Sequence, residues 1–366
     1  MPRTQDPDNY NIEYVQILDE QGRVDGALNP HPHFLSDERI IFMYRTMVLC
    51  RMFDEKAVKL QRRGATSTYA LIRGQEAAQV ASAMATDAAD WIFPSYREIC
   101  VFIAKGIPIH QFWTYFMGDV KGTTPPSTFH MSPVQIAVAT QIGHGAGCAW
   151  GAQLSSNPIG VITYFGEGAT SEADFHEGMN FAGVFNLPCV FFCQNNKWAI
   201  SVPLSQQTHS RSIAAKGIAY GVRSIQVDGN DPLGVYSVTG EALARAREGK
   251  GSTLIEALTH RMGDHTTSDD QTRYRTLDEI KSGESRDPIR RLRIYLTDRG
   301  LWDDGKEESL HAELEAHIKA EQEAALAIPK PEALEIFDNV YDKPTATLLE
   351  QRDELTAFRA WLGGSK

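Results

Sequence analysis

No two cysteines of this chain stand at the short spacing of a zinc or dithiol motif: the five are Cys50, Cys100, Cys148, Cys189 and Cys193. An odd number of scattered thiols makes no disulfide framework, so reduced and mostly buried cysteines are expected. No segment approaches the roughly eighteen uninterrupted apolar residues of a membrane span. The opening stretch MPRTQDPDNYNIEY lacks the apolar centre of a signal peptide and is too acidic for a transit peptide. Basic excess is absent as well, and a formal net charge of −11 argues against a protein that grips a phosphate backbone. Internal repeats and low-complexity tracts are missing. The expectation is a soluble, cytoplasmic protein that binds neither nucleic acid nor membrane.

What is present is ordinary globular material. The 366 residues, 42% hydrophobic and 23% charged, suffice for one large α/β domain with appendages. Residues 1–35 are polar, proline-bearing and unpatterned, and read as an N-terminal arm. From Ser36 a helix is predicted, with Ile40, Ile41, Met43, Tyr44, Met47 and Val48 at helical spacing. GQEAAQVASAMA (74–85) reads as a small, closely packed helix, residues 118–133 as a loop, and GHGAGCAWGAQL (143–154) as a glycine-heavy helix. That last helix serves either buried packing or a subunit contact.

The fold shows itself in the middle third. GVITYF (160–165) and CVFFC (189–193) are short apolar runs of the kind found in buried parallel strands. Between them a helix is predicted, with Ser171 and Asp174 as a capping pair and Phe175, Met179 and Ala182 on one face. SIQV (224–227), a helix through ALARAREG and the strand TLIEAL (253–258) follow. Strands alternating with helices give an α/β fold, a parallel sheet flanked by helices, over residues 36–285. Beyond it, Ile289, Leu292, Tyr295 and Leu296, then Leu310, Leu314 and Ile318, predict a helical C-terminal extension over 286–366. The extension is too short and too charged to hold a second sheet.

Ligands of open parallel sheets bind at the carboxyl ends of the strands. Gly166-Glu167-Gly168-Ala169 follows the first run and Gln194-Asn195-Asn196-Lys197-Trp198 the second. Either alone reads as a tight turn. Placed together at neighbouring strand ends, Glu167 and Asn196 supply a carboxylate and an amide oxygen, the hard ligands Mg²⁺ takes while it also holds phosphate.

The stretch GEGATSEADFHEGMNFAGVFNLPCVFFCQNNKWAIS (166–201) resembles the thiamine-diphosphate motif, a Gly-acid-Gly followed about thirty residues later by Asn-Asn. Its full run is similar to alpha subunits of branched-chain 2-oxo acid and pyruvate dehydrogenases. The similarity continues in RTMVLCRMFDEKAVKLQRRG (45–64), GQEAAQVA, FPSYRE (93–98), VDGNDPLGVY (227–236) and RMGDHTTSDDQTRYR (261–275). The resemblance implies the diphosphate-binding half of the thiamine-diphosphate fold. It implies Mg²⁺ on Glu167, Asn196 and the main-chain carbonyl of Trp198, with Gly166, Gly168, Ala169, Tyr96 and Arg97 along the diphosphate. Ile136 and Val138 would border the cofactor. Gln135, Ala137, Thr140 and Gln141 fall on the loop that binds K⁺ in some members, although Gln135 and Ala137 are unusual there. Gln194 stands where some relatives carry an arginine on the diphosphate. His265, in a polar loop that could order on a polyanion, matches the family's catalytic histidine.

The activity implied is oxidative decarboxylation of a 2-oxo acid, with the acyl group passed to a lipoyl domain of an acyltransferase core. The cofactor's activating glutamate then comes from a beta subunit in an α₂β₂ tetramer. HTTSDDQTRYR favours a branched-chain substrate, with pyruvate the alternative and acetoin a more distant one. A single-chain thiamine decarboxylase would need a second sheet, and a non-catalytic scaffold would have no use for an intact Glu167–Asn196 pair.

Overall fold

The structure is a computed structural model that describes residues 12–24, 35–338 and 340–364. At its centre lies a six-stranded, all-parallel sheet in the order β1-β7-β8-β4-β3-β2. The first strand, β1 (Glu13–Val15), comes from the stretch read as an arm and pairs with β7. Over these residues the arm expectation is corrected, because Leu18 is fully buried and the N–H groups of Ile17 and Leu18 donate to the Asp231 carboxylate at 2.6 and 2.9 Å. A three-residue strand is too short to show periodicity. Residues 1–11 and 25–34 of the arm lie outside the described residues.

Helix α1 (Asp37–Arg62) starts where predicted, with the Ser36 hydroxyl accepting from Arg39 N–H and Asp37 and Glu38 in the first turn. Helix α2 (Glu76–Met84) is buried almost throughout, its alanines allowing a close approach to α9. Strand β2 (Trp91–Phe93), again three residues, escaped the sequence reading. Its outer side is already engaged: Ile92 N–H donates to His130 O and Ser132 N–H donates to Ile92 O. Helices α3 (Ile99–Ala104) and α4 (Ile109–Phe116) complete this layer.

On the glycine-heavy helix α5 (Thr140–Leu154), Gly145 lies against Thr163 of the sheet, whereas Gly143, Gly147 and Gly151 face open space. Packing therefore accounts for one of the four. Strand β3 (Val161–Gly166) runs into a single 3₁₀ turn (Glu167–Ser171) and then α6 (Ala173–Phe185). The predicted Ser171–Asp174 capping pair does not form, because Ser171 belongs to the 3₁₀ turn and the helix cap falls on Glu172, without a side-chain bond. Strand β4 (Cys189–Asn195) is buried at every position, which is why its sequence runs apolar without alternation.

A small hairpin of β5 (Trp198–Ala199) and β6 (Val202–Pro203) follows, then the short helices α7 (Leu204–Gln207) and α8 (Ala214–Ile218). Strand β7 (Arg223–Asp228) leads to α9 (Pro232–Arg247), capped by Asp231 with Pro232 in its first turn. Strand β8 (Thr253–Leu258) closes the sheet between β7 and β4.

After α10 (Leu277–Ser282), the extension is helical as expected: α11 (Pro288–Asp298), α12 (Asp304–Ala327) and α13 (Ala346–Gly364). Arg291 of α11 is fully buried and donates to the Asp228 carboxylate at 2.7 Å and to Leu18 O at 3.0 Å, joining extension, sheet and N-terminal segment. Leu310, Leu314 and Ile318 of α12 are buried in the same core. No helix among the described residues is long and apolar enough to cross a membrane.

Candidate active site

Four adjacent strands, β8, β4, β3 and β2, send their carboxyl ends into one cavity. Residues Ser95 to Glu98 come from the β2 end, Gly166 to Ala169 from β3, Gln194 and Asn196 from β4, and His265 from the loop after β8. Val138, Ala139 and Gln141 at the start of α5 and Gln75 before α2 close further sides. Of the residues singled out in the sequence, Tyr96, Arg97, Val138, Gln141, Gly166, Glu167, Gly168, Ala169, Gln194, Asn196, Trp198 and His265 line it. Ile136 does not; it is 61% exposed.

Glu167 and Asn196 meet because β3 and β4 are hydrogen-bonded neighbours in register, Gly166 opposite Gln194. Asn196 N–H donates to Glu167 Oε2 at 3.2 Å, and Trp198 N–H donates to Asn196 Oδ1 at 3.1 Å. Burial pushes the Glu167 carboxyl up, against the pull of neighbouring N–H groups and of Arg261 and Arg97. No group of three or more His, Cys, Asp and Glu side chains converges among the described residues. A metal held at Glu167 would therefore take amide and main-chain oxygens beside that carboxylate. Gly168 has a specific reason to be glycine: a Cβ there would stand 2.9 Å from Ala199 Cβ in the β5 strand. The turn and the hairpin that follows Asn196 are thus pressed together. Lys197 (φ 71°) and Ile200 (φ 55°), both left-handed, bracket Trp198 and Ala199.

The loop after β8 is held by bonds among its own side chains and to the β5 hairpin. Asp269 accepts from His265 N–H at 2.8 Å and from the Tyr274 hydroxyl. Arg261 donates to Tyr274 Oη at 2.8 Å and to Ile200 O at 3.1 Å, and Arg275 donates to Arg261 O at 2.7 Å. Glu279 accepts from both Arg275 Nε, at 3.0 Å, and Trp198 Nε1, at 2.7 Å, so the loop is joined to the β5 hairpin. Nδ1 of His265 lies 3.0 Å from Arg97 Nη2 and 3.3 Å from Arg261 Nη1. Burial and these two guanidiniums push its pKa down to about 3.

The four residues of the predicted cation loop do not share a centre of contacts. The Thr140 hydroxyl donates to Ala137 O at 2.9 Å, but Gln135 turns its amide to Pro133 O and Gln141 to Tyr164 O. Several cavity residues went unrecognised in the sequence. Glu98 stood there only as the last residue of FPSYRE, yet it is buried on the lining. Gln75, inside GQEAAQVA, and Arg261, inside RMGDHTTSDDQTRYR and in contact with His265, were given no role. Three buried polar atoms on the lining have no hydrogen-bond partner among the described residues: Gln75 Nε2, Glu98 Oε2 and Gln141 Oε1. Unmet hydrogen-bonding capacity of this kind fits a site built around a polar ligand.

The chain is similar in sequence to known proteins over most of its length. The family described as dehydrogenase E1 component matches residues 44–334. The alpha subunit of 3-methyl-2-oxobutanoate dehydrogenase from Mycobacterium tuberculosis H37Rv is 42% identical over 348 residues, covering 95% of this chain and 94% of that protein. The pyruvate dehydrogenase E1 component subunit alpha of Bacillus cereus is 40% identical over 342 residues, covering 93% and 91%. That of Staphylococcus aureus COL is 39% identical over the same length, covering 93% and 92%. The chain belongs to the dehydrogenase E1 component family, as an alpha subunit of the 2-oxo acid dehydrogenase type.

Proposed function

We propose that this chain is the alpha half of a thiamine-diphosphate- and Mg²⁺-dependent enzyme that decarboxylates a branched-chain 2-oxo acid and passes the acyl group to a lipoyl domain. The observation that carries the reading is the meeting of Glu167, Asn196 and Trp198 at the ends of two neighbouring parallel strands, above a cavity with open polar atoms. In this reading Glu167, the Asn196 amide oxygen and the Trp198 carbonyl hold Mg²⁺, and the diphosphate lies along Gly166, Gly168 and Ala169 within reach of Tyr96, Arg97 and Gln194. The cofactor supplies the electron sink for loss of CO₂. The chain's own residues do the rest. The Mg²⁺ ligands fix the diphosphate end, the left-handed hairpin keeps the Trp198 carbonyl in place, and His265 presents Nε2–H to the cavity. As a neutral donor it would steady negative charge on the acyl oxygen by hydrogen bonding while keeping its own proton.

The exposed apolar residues Ile136, Val138, Ile200 and Val202, on the segments around the cavity, support a partner that covers it. We take that partner to be a beta subunit, in an α₂β₂ assembly that docks on a lipoyl-bearing acyltransferase. Pyruvate is the second reading for substrate, favoured by the 40% identity to a pyruvate dehydrogenase alpha subunit. The test is titration of thiamine diphosphate with Mg²⁺ into the chain co-expressed with its beta partner, wild type against Glu167→Ala. Metal-dependent binding abolished by the substitution supports the site, and turnover of branched-chain acids against pyruvate then decides the substrate. Absence of metal-dependent binding in the wild-type pair would overturn the assignment.

A further inference from the structure

One wall of the cavity carries a one-way chain of hydrogen bonds. Cys100 N–H donates to Gln79 Oε1 at 3.2 Å, which fixes the oxygen end of that amide. Gln79 Nε2 then donates to Gln194 Oε1 at 3.2 Å, and Gln194 Nε2 donates to Glu98 Oε1 at 2.6 Å. The polarity runs toward the carboxyl and stops there. Glu98 Oε2 is buried with no partner, while both Glu98 and Gln194 line the cavity.

The surroundings decide which protonation state suits this carboxyl. From β4 it accepts from the neutral amide of Gln194, which is itself held by the Gln79 amide of α2. From β3 comes the Tyr164 hydroxyl, already donating to Ser82 Oγ. Arg97, beside it in sequence, is turned to Leu71 O and His265. Glu167 and Glu172 line the same cavity as further carboxyls. Burial pushes Glu98 up to about 7, against the pull of Arg97 and nearby N–H groups. A diphosphate keeps net negative charge even beside one Mg²⁺ and so acts in the same direction as burial, while Arg97, whose charge opposes both, spends its hydrogen bonds on Leu71 O and His265 rather than on Glu98.

Resting on the functional reading above, we infer that Glu98 is the proton acceptor of the cofactor cradle. It takes one proton from solvent as the diphosphate enters, the new O–H bond forms on Oε2, and the carboxyl stays neutral while the cofactor is bound. Glu98 thus acts as a positioning residue: ionised, it opposes the anion; protonated, it completes the amide chain.

The test is calorimetric titration of Mg²⁺–thiamine diphosphate into the alpha–beta complex from about pH 6 to about pH 9, in buffers of differing ionisation enthalpy, for wild type and Glu98→Gln. Glutamine keeps the oxygen that accepts from Gln194 and places an amide where the protonated oxygen would be. Above about pH 7 the wild type should take up about one proton more than the variant, and its affinity should fall about tenfold per pH unit relative to the variant. Titration of the cofactor's own phosphate cancels in that difference. Infrared difference spectra of the wild type alone should lose a carboxylate band and gain a protonated-carboxyl band on binding, a readout that stands even if Glu98→Gln fails to fold. Equal proton uptake in both proteins, or no such band change, overturns the inference while leaving the cofactor assignment standing. A wild-type complex that binds no cofactor at all would instead remove the functional reading, and this inference with it.

Discussion

Nδ1 of His265 faces two cations, Arg97 at 3.0 Å and Arg261 at 3.3 Å, so it can only accept hydrogen bonds and the ring proton must sit on Nε2. The tautomer follows from the partners, since a guanidinium has no lone pair to offer.

Folding therefore holds His265 neutral. Its folded pKa, about 3, lies below the ordinary 6.5, so the unfolded chain binds the proton first. The stability linked to it is complete above about pH 6.5 and is lost as pH falls toward about 3. Denaturation curves should show wild type losing stability more steeply than His265→Asn across that window. In ¹⁵N-histidine spectra, Arg261→Met should raise the His265 pKa while leaving it below 6.5, because burial, the larger cause, remains. An unchanged pKa would deny Arg261 its part.

Gly168→Ala should disturb the residues proposed to hold Mg²⁺ without touching them. The added methyl would lie 2.9 Å from Ala199 Cβ, and both atoms hang on stiff backbone. A loss of about 1–3 kcal/mol is expected, together with weaker metal-dependent cofactor binding. Restoration of both by the double variant Gly168→Ala/Ala199→Gly would show that the clash is the cause.

Ile200 is a β-branched residue in the left-handed region with its side chain 54% exposed. Ile200→Gly should raise the stability of the chain by about 1 kcal/mol in urea titrations. No gain would mean that the exposed side chain is held by contacts worth as much as the backbone strain.

Arg291→Met should be among the most damaging single changes outside the cavity. It removes the buried cation that pairs with Asp228 at 2.7 Å and satisfies Leu18 O. A loss of about 3–5 kcal/mol is expected, and Asp228→Asn in the same background should recover part of it.

Much of the fold was legible because the central strands are buried on both faces. Phe191, Phe192 and Cys193 have nowhere to show polarity, so GVITYF and CVFFC announce themselves. The edge strands did not, since Glu13–Val15 and Trp91–Phe93 are set by their neighbours rather than by any pattern of their own. Glu167 and Asn196 were legible as a pair because one strand-helix-strand unit fixes their distance along the chain. Glu98 and Arg261 were not. Glu98 owes its place to Gln194, far away in sequence, and Arg261 to Tyr274 and His265 of its own irregular loop, where no periodicity announces a contact. The capping pair failed for a similar reason: the 3₁₀ turn that carries Glu167 into the cavity extends through Ser171.

The two edges of the sheet have a bearing on how the molecule meets others. β1 offers three residues, and β2 offers three whose outward Ile92 groups are already taken by His130 and Ser132. Among the described residues the sheet leaves little unpaired edge backbone for a foreign strand to zip onto. Association must instead run through side-chain surfaces, which discriminate by shape and charge where backbone ladders accept almost any sequence.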